Sequence, residues 1–226
     1  MAYIFITRVK SMNRIQFITA CAIAAIATTA NAGIIVTVED AGQLHSTQAG
    51  VTEVNFNDNT KGAYVSITGS GGGYHIVSDS SSGLYATPFG FASDDPYLSV
   101  PDSASSGAAA VSLDGHYNYF GMFWGSVDSY NFIEFFDNGN SVGSFGGADI
   151  TSLIADGNQT DTDSNRYVNF FFTGADSFNS FIMSSTSYAF ETDNHAYGNV
   201  PEPSSLALLG LGLAGLGFSR RKSNKA

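Results

Sequence analysis

Apolar and polar residues alternate along several short segments of the chain, with the two-residue period of a β-strand that is buried on one face. The clearest alternation lies in residues 50–56 and 63–67. Stretches rich in glycine, serine, asparagine and aspartate separate the apolar segments at intervals of roughly 8–12 residues. About ten short strands with this spacing predict an all-β fold, an antiparallel β-sandwich.

A hairpin is the most specific local prediction. Residues 132–136 are mostly apolar, the turn Asp137-Asn138-Gly139-Asn140 follows, and residues 141–145 return. Asn-Gly joins antiparallel strands because both residues tolerate a positive φ. The other predicted strands are residues 34–38, 74–77, 97–100, 108–113, 119–125, 167–172, 180–184 and 188–197.

Three segments interrupt or limit these strands. Residues 97–100 are predicted to be a short edge strand, because Pro101 follows them directly. The glycine-rich residues 69–73 are predicted to be a flexible break between strands. Residues 149–155 fit either one short helix or the end of a strand.

The first 32 residues have the three-part pattern of a secretory signal peptide, which predicts an N-terminal signal helix. Arg14 supplies the positive charge, and residues 15–27 form the apolar core. Ala30 and Ala32 make up the A-x-A site that signal peptidase recognises. We therefore expect residues 1–32 to be removed on export.

The only cysteine, Cys21, lies inside the apolar core of this signal. Residues 18–21 loosely resemble a lipoprotein processing site, but the apolar core continues beyond Cys21. The mature chain would begin near Gly33, whether translation starts at Met1 or at Met12. Without a thiol, it has no disulfides and no thiolate metal sites.

Residues 199–226 form a second targeting segment. Its motif Pro201-Glu202-Pro203 is stiff and extended, because proline fixes φ and lacks an N–H group. The apolar residues 204–218 would form a helix about 22 Å long, short of the ~30 Å hydrocarbon core of a membrane. The basic end, which the positive-inside rule places in the cytoplasm, consists of Arg220, Arg221 and Lys222.

This tail resembles the PEP-CTERM sorting signal of Gram-negative bacteria, whose tail model is also labelled an ice-binding protein C-terminal domain. The resemblance implies that exosortase, a membrane transpeptidase-like enzyme, recognises Pro201-Glu202-Pro203 and removes the apolar helix. It implies transient anchoring in the inner membrane and then a place at the cell surface or in the extracellular matrix. The alternative is an ordinary C-terminal anchor behind a proline-rich linker.

The body of the chain carries a second resemblance. Residues 120–131 and the turn at 135–139 resemble the Npun-type family of exosortase-dependent surface proteins, over most of residues 50–198. That family implies no biochemical activity. The segment 190–194, Phe-Glu-Thr-Asp-Asn, is similar to the last strand of many jelly-roll modules, including carbohydrate-binding ones. These likenesses imply a jelly-roll-like surface domain at residues 33–198.

Charge is distributed unevenly along the chain. Residues 33–200 contain only two basic residues, Lys61 and Arg166, against nineteen acidic ones, a net charge of −17. Nucleic acids and anionic membrane surfaces would be repelled by such a body. Cations and neutral polymers remain compatible partners.

Signatures of catalysis are absent from the sequence. The histidines His45, His75, His116 and His195 show no H-E-x-x-H spacing, and no G-x-S-x-G elbow or Walker phosphate loop is present. The carboxylate pairs Glu134/Asp137 and Glu191/Asp193 would suit glycoside hydrolysis only if a cleft brought two of them together. We predict that the protein is not an enzyme. A secreted glycoside hydrolase is the least favoured alternative.

Two binding features are candidates. Asp156, Asp161 and Asp163 crowd one polar loop with oxygen ligands that suit calcium, although a solvated acidic loop explains them better. The loop departs from an EF-hand, and no metal or other cofactor is assigned. Aromatic side chains that stack on sugar rings are the second feature, although aromatics in strands more often fill a core. The candidates are Tyr117, Tyr119, Trp124 and Tyr130.

The sequence therefore predicts an exported protein that passes signal peptidase and exosortase and has a structural or adhesive role in an exopolysaccharide or biofilm matrix. The main alternative is a carbohydrate-binding module that binds its ligand with or without calcium. Extracellular polysaccharide is the expected partner, and nucleic acid is not.

Overall fold

The computed structural model describes residues 33–150 and 153–201, together with Gly212. The predicted signal peptide, Glu202, Pro203 and the basic end at Arg220, Arg221 and Lys222 lie outside the described residues. Within the described part of the chain, no helix is long and apolar enough to cross a membrane.

The fold is a pair of antiparallel β-sheets packed face to face, which confirms the predicted all-β sandwich. The first sheet has the strand order β1-β10-β7-β12-β5-β4, and β2 also pairs with β12. Its strands are β1 (Gly33–Val38), β2 (Thr52–Val54), β4 (His75–Val77), β5 (Tyr97–Val100), β7 (Tyr119–Gly125), β10 (Arg166–Thr173) and β12 (Phe190–Gly198).

The second sheet has the order β3-β6-β11-β8-β9. Its strands are β3 (Ser66–Gly71), β6 (Gly107–Tyr117), β8 (Asn131–Asp137), β9 (Asn140–Gly146) and β11 (Phe178–Ser185). The β8–β9 hairpin is confirmed, with Asp137 opposite Asn140 and a positive φ at both Asn138 and Gly139. Two short 3-10 helices, Gly147–Asp149 and Thr162–Ser164, lie in the connections.

The core between the sheets is built mainly from phenylalanine rings. Phe135 on β8 is fully buried and lies within 5.5 Å, centroid to centroid, of four other rings on β7, β10 and β11. Leucine is scarce in these strands, so aromatic rings supply the apolar volume that a sandwich needs.

The outer face of the first sheet is also covered, by the two loops at residues 39–51 and 78–96. The first loop contacts the sheet where the Ser46 and Tyr119 hydroxyls lie 2.6 Å apart. The second contacts it where the ring of Phe91 packs against Phe123 at 4.9 Å. Strands β7 and β12 are therefore buried on both faces, which explains their burial along the whole length.

A β-bulge in β12 changes which way its side chains point. The pairing with β7 shifts register between Asp193 and Ala196, and Asn194 has a φ of 47°. Asp193 lines a cleft beneath the outer loops, whereas His195 contacts the core rings of Phe56 and Phe120. One strand thus carries acids on its outer face and a histidine in the core.

Two local predictions were wrong, and a third was correct in type but too long. Residues 97–100 form an internal strand, because β4 and β12 pair on either side of β5. Gly69, Ser70 and Gly71 belong to β3, since β6 supplies partners for all three. The strand expected at residues 50–56 is shortened to β2. Residues 149–155, where described, form no α-helix.

Candidate functional site

The predicted aromatic platform is not an exposed surface. Trp124 and Tyr119 have no solvent exposure, and the Trp124 ring packs into the core 4.6 Å from Phe190. Tyr130 is half-buried, and its hydroxyl donates a hydrogen bond to the Tyr188 carbonyl at 2.8 Å. Trp124 therefore offers no surface for stacking on a sugar ring, because its side chain lies in the core between the sheets.

The acidic loop uses its carboxylates internally. Asp156 accepts hydrogen bonds from the Asn158 amide and the Ser164 hydroxyl, and Asp161 caps the 3-10 helix by accepting from the Asp163 amide. Asp163 pairs with Arg166 at 3.0 Å. Among the residues described here, no group of three or more His, Cys, Asp or Glu side chains is placed to hold a metal ion. The calcium prediction for this loop gains no support.

Of the two carboxylate pairs, only one lies in clefts. Glu134 accepts from the Ser141 hydroxyl at 2.6 Å, and Asp137 pairs with His116 at 2.9 Å. Both belong to the β8–β9 hairpin and line neither of the two clefts at β12. Glu191 and Asp193 instead project from β12 into two neighbouring clefts beneath the outer loops.

The larger cleft has a volume of about 470 Å³ and lies at the start of β12. The loop of residues 80–85 lines this cleft, together with Gln159 and with Tyr188, Ala189 and Glu191. Serine hydroxyls, an amide and a carboxyl group dominate this lining, so the cleft offers hydrogen bonds more than apolar surface.

Glu191 is only 3% exposed and is held by two hydrogen bonds. Its Oε1 accepts from the Ala86 amide at 2.9 Å, and its Oε2 pairs with the Ser126 hydroxyl at 3.1 Å. Burial raises the pKa of Glu191 to about 8, although both hydrogen bonds lower it. The carboxyl group is therefore mostly protonated at neutral pH and has a proton to donate.

Glu191 belongs to a row of polar side chains across the sheet. The pairing of β4, β5 and β12 places His75 opposite Ser99 and Ser99 opposite Glu191. His75 Nδ1 lies 3.0 Å from Asp102, and burial lowers the pKa of His75. Its Nε2 and the Ser99 hydroxyl are buried without a hydrogen-bond partner in the structure. Such atoms typically bind ordered water.

The smaller cleft, of about 220 Å³, contains Asp193. Asp193 is 1% exposed and accepts a hydrogen bond from the Asn194 amide at 2.7 Å. Burial raises its pKa to about 8, and the charges of Asp95 and Glu53 add to the shift. Two carboxyl groups on one strand are thus protonated near neutral pH.

His195, in contrast, is a core residue. Its Nδ1 lies 2.8 Å from the Tyr64 hydroxyl and its Nε2 lies 2.8 Å from the Thr192 hydroxyl. Complete burial lowers the pKa of His195 to about 3. The imidazole is neutral and hydrogen-bonded, as expected for a satisfied histidine of a sheet.

Sequence reasoning found part of this site. The sequence singled out Glu191 and Asp193 as a carboxylate pair, and the structure places both in clefts on the outer face of the first sheet. Sequence reasoning missed His75 and Ser99, because their proximity depends on which strands pair. Only the insertion of β5 between β4 and β12 brings them together.

The opposite end of β12 leads directly into the predicted sorting tail. After Gly198, Val200 is still buried against the domain, whereas Asn199 and Pro201 are exposed. The fold thus defines a β-sandwich whose last strand leads to an exposed Pro201, the first residue of the Pro201-Glu202-Pro203 motif. A family model for the PEP-CTERM protein-sorting motif matches residues 199–222. The chain therefore carries a PEP-CTERM motif, which indicates exosortase-dependent sorting to the cell surface or extracellular space.

No curated protein and no solved structure matches the chain significantly.

Proposed function

We propose that the protein is a non-catalytic surface protein with a structural or adhesive role in an extracellular polysaccharide matrix. The observation that supports this role most is the arrangement along β12. The Glu191 cleft lies where this strand begins, and the sorting motif follows where it ends. A nine-residue strand is about 30 Å long, so a protein held by its C-terminal end displays the cleft outward.

The chemistry of the cleft favours a neutral, hydroxyl-rich ligand. An anionic polymer would meet a body of net charge −17, whereas a neutral glycan would not. The protonated Glu191 carboxyl and the amide of Gln159 offer donors and acceptors to sugar hydroxyls. A carbohydrate-binding module with a defined glycan is thus the specific form of the adhesive role.

Calorimetric titration of the exported protein with neutral soluble polysaccharides, with calcium and with chelator, tests this proposal. We expect saturable binding that Gln159→Ala weakens about fivefold, the effect of one hydrogen bond. Gln48→Ala, in the loop over the other end of the sheet, is the control and should bind normally. Fluorescence of the buried Trp124 is a poor probe for this site.

Two results would contradict the proposal. The absence of saturable binding across a broad panel of neutral glycans would remove the adhesive role through this cleft. Release of new reducing ends during incubation would show a glycoside hydrolase. In that case Glu191 becomes the candidate acid, since its raised pKa suits proton donation.

Deletion of Pro201-Glu202-Pro203 should stop sorting. The motif is the part of the tail that exosortase is inferred to recognise, so we expect the precursor to accumulate in the inner-membrane fraction. Fractionation followed by immunoblotting measures this. A deletion variant that reaches the surface in wild-type amounts would show that another signal directs export.

A further inference from the structure

One side chain holds the beginning of the sorting tail on the folded domain. Asn118 lies between β6 and β7, and its Oδ1 accepts a hydrogen bond from the Val200 amide at 2.8 Å. Its Nδ2 donates to the Val200 carbonyl, also at 2.8 Å. The side chain thus pairs with Val200 as a neighbouring strand would. Asn118 is itself fixed, because its carbonyl accepts from the Phe172 amide at 2.8 Å.

Neighbouring contacts strengthen this attachment. The Val200 side chain is 5% exposed and packs in a small cluster with Tyr119, Phe171 and Ala196. The Asn199 side chain accepts from the Asn118 amide at 3.2 Å and donates to the His116 carbonyl at 3.3 Å. The chain therefore leaves the fold between Val200 and the exposed Pro201, the first residue of the motif.

This attachment limits access to the motif. Only Pro201-Glu202-Pro203 separates Val200 from the apolar run that begins at Ser204 in the sequence. Three extended residues reach about 10 Å. An enzyme that binds the motif as an extended peptide also needs residues on its N-terminal side. Here those residues, Asn199 and Val200, are bonded to the domain.

We propose that Asn118 withholds Asn199 and Val200 from the exosortase, and that the end of the sandwich around the β6–β7 turn is the surface that meets this enzyme. Opening this contact adds about 7 Å to the free segment. The form that the exosortase can process, in which this contact is open, is only part of the population. The folded protein is therefore processed more slowly than its motif alone would allow. The inference rests on the exosortase sorting that the motif indicates.

Asn118→Ala removes both hydrogen bonds to Val200 and should speed processing of the full-length chain about tenfold. Pulse-chase labelling measures the conversion of precursor to the processed form. Asn158→Ala is the control, because the Asn158 side chain also accepts two hydrogen bonds, from the amide and hydroxyl of Thr160. Asn158 lies in the loop before β10, whereas Asn118 is bonded to Phe172 near the other end of that strand. The control should be processed at the wild-type rate. Unchanged or slower processing of Asn118→Ala overturns the proposal.

Insertion of a linker tests the access of the exosortase to the motif without changing the stability of the domain. Six Gly/Ser residues inserted between Val200 and Pro201 leave the Asn118 contact intact, and should raise the wild-type rate to that of Asn118→Ala. The linker should add nothing further in the Asn118→Ala background. If the linker leaves the rate of wild-type processing unchanged, Asn118 does not withhold these residues from the exosortase. This conclusion holds even if Asn118→Ala fails to fold. If deletion of Pro201-Glu202-Pro203 leaves processing intact, the sorting assignment fails instead.

Discussion

Glu191→Gln is expected to raise the free energy of unfolding at pH 7 by roughly 3 kcal/mol, while leaving it nearly unchanged at pH 4. The amide is close to the carboxyl group in size. Its oxygen can still accept from the Ala86 amide, and its nitrogen can donate to the Ser126 hydroxyl. The gain therefore comes from the removal of a titrating group and not from a new contact.

The sign follows from the raised pKa. In the folded protein the pKa of Glu191 is about 8, against an ordinary value of 4.5. Between these values the folded state keeps a proton that the unfolded chain releases, so the free energy of unfolding falls as pH rises. The stabilisation is complete below pH 4.5 and is lost above about pH 8. The Gln variant has no such loss.

Urea denaturation of wild type and Glu191→Gln at several pH values between 4 and 8 measures the difference. Glu134→Gln is the matched control, because Glu134 lies on the hairpin and is only half-buried. The control should follow the wild-type dependence on pH. Parallel curves for wild type and Glu191→Gln would show that Glu191 titrates near its ordinary pKa.

Two other buried groups shape the wild-type curve. Asp193, with a pKa of about 8, adds a second loss of stability as pH rises from about 4 to 8. His195, with a pKa of about 3, acts in the opposite direction, because the unfolded chain gains a proton as pH falls below 6.5. Below pH 4 only the histidine still titrates. These three groups together place maximum stability near pH 4 to 5.

The sequence predicted the features that depend on neighbours in the chain. The β8–β9 hairpin follows from Asn138 and Gly139, whose local conformation sets the turn. Alternation and turn spacing were enough for the sandwich. The order of the strands could not be predicted from the sequence, because β5 pairs with both β4 and β12 and so joins segments that are far apart in the chain.

The site shows the same limit. Trp124 was a candidate for sugar stacking because β7 is apolar throughout, so its pattern does not show which side chains face the core and which lie under the loops at residues 39–51 and 78–96. These loops lack periodicity, so their packing is invisible to pattern analysis. The second loop also helps to bury Glu191, and burial raises the pKa of Glu191 even though the hydrogen bond from the Ala86 amide of the same loop lowers it. The burial and the pKa of Glu191 thus depend on a loop whose sequence has no periodic pattern from which its position could be predicted.

Phe135→Ala should cost the domain about 3–5 kcal/mol of folding free energy, the usual effect of removing a fully buried phenylalanine. Phe135 stands on the second sheet, but its ring lies 5.5 Å from Phe120 and 5.1 Å from Phe170 on the first. Truncation therefore opens a cavity where the two sheets meet. Domains are commonly stable by only about 5–15 kcal/mol, so a large share of the total would be lost.

Phe132→Ala provides the control on the same strand. Phe132 lies three residues earlier, is 38% exposed and points away from the core, so its loss should cost less than about 1 kcal/mol. Urea denaturation of both variants at pH 5 gives the comparison. If both variants lose similar stability, the sheets do not depend on the ring cluster around Phe135. If only Phe135→Ala loses much stability, the ring cluster around Phe135 holds the second sheet against the first, which carries the Glu191 cleft.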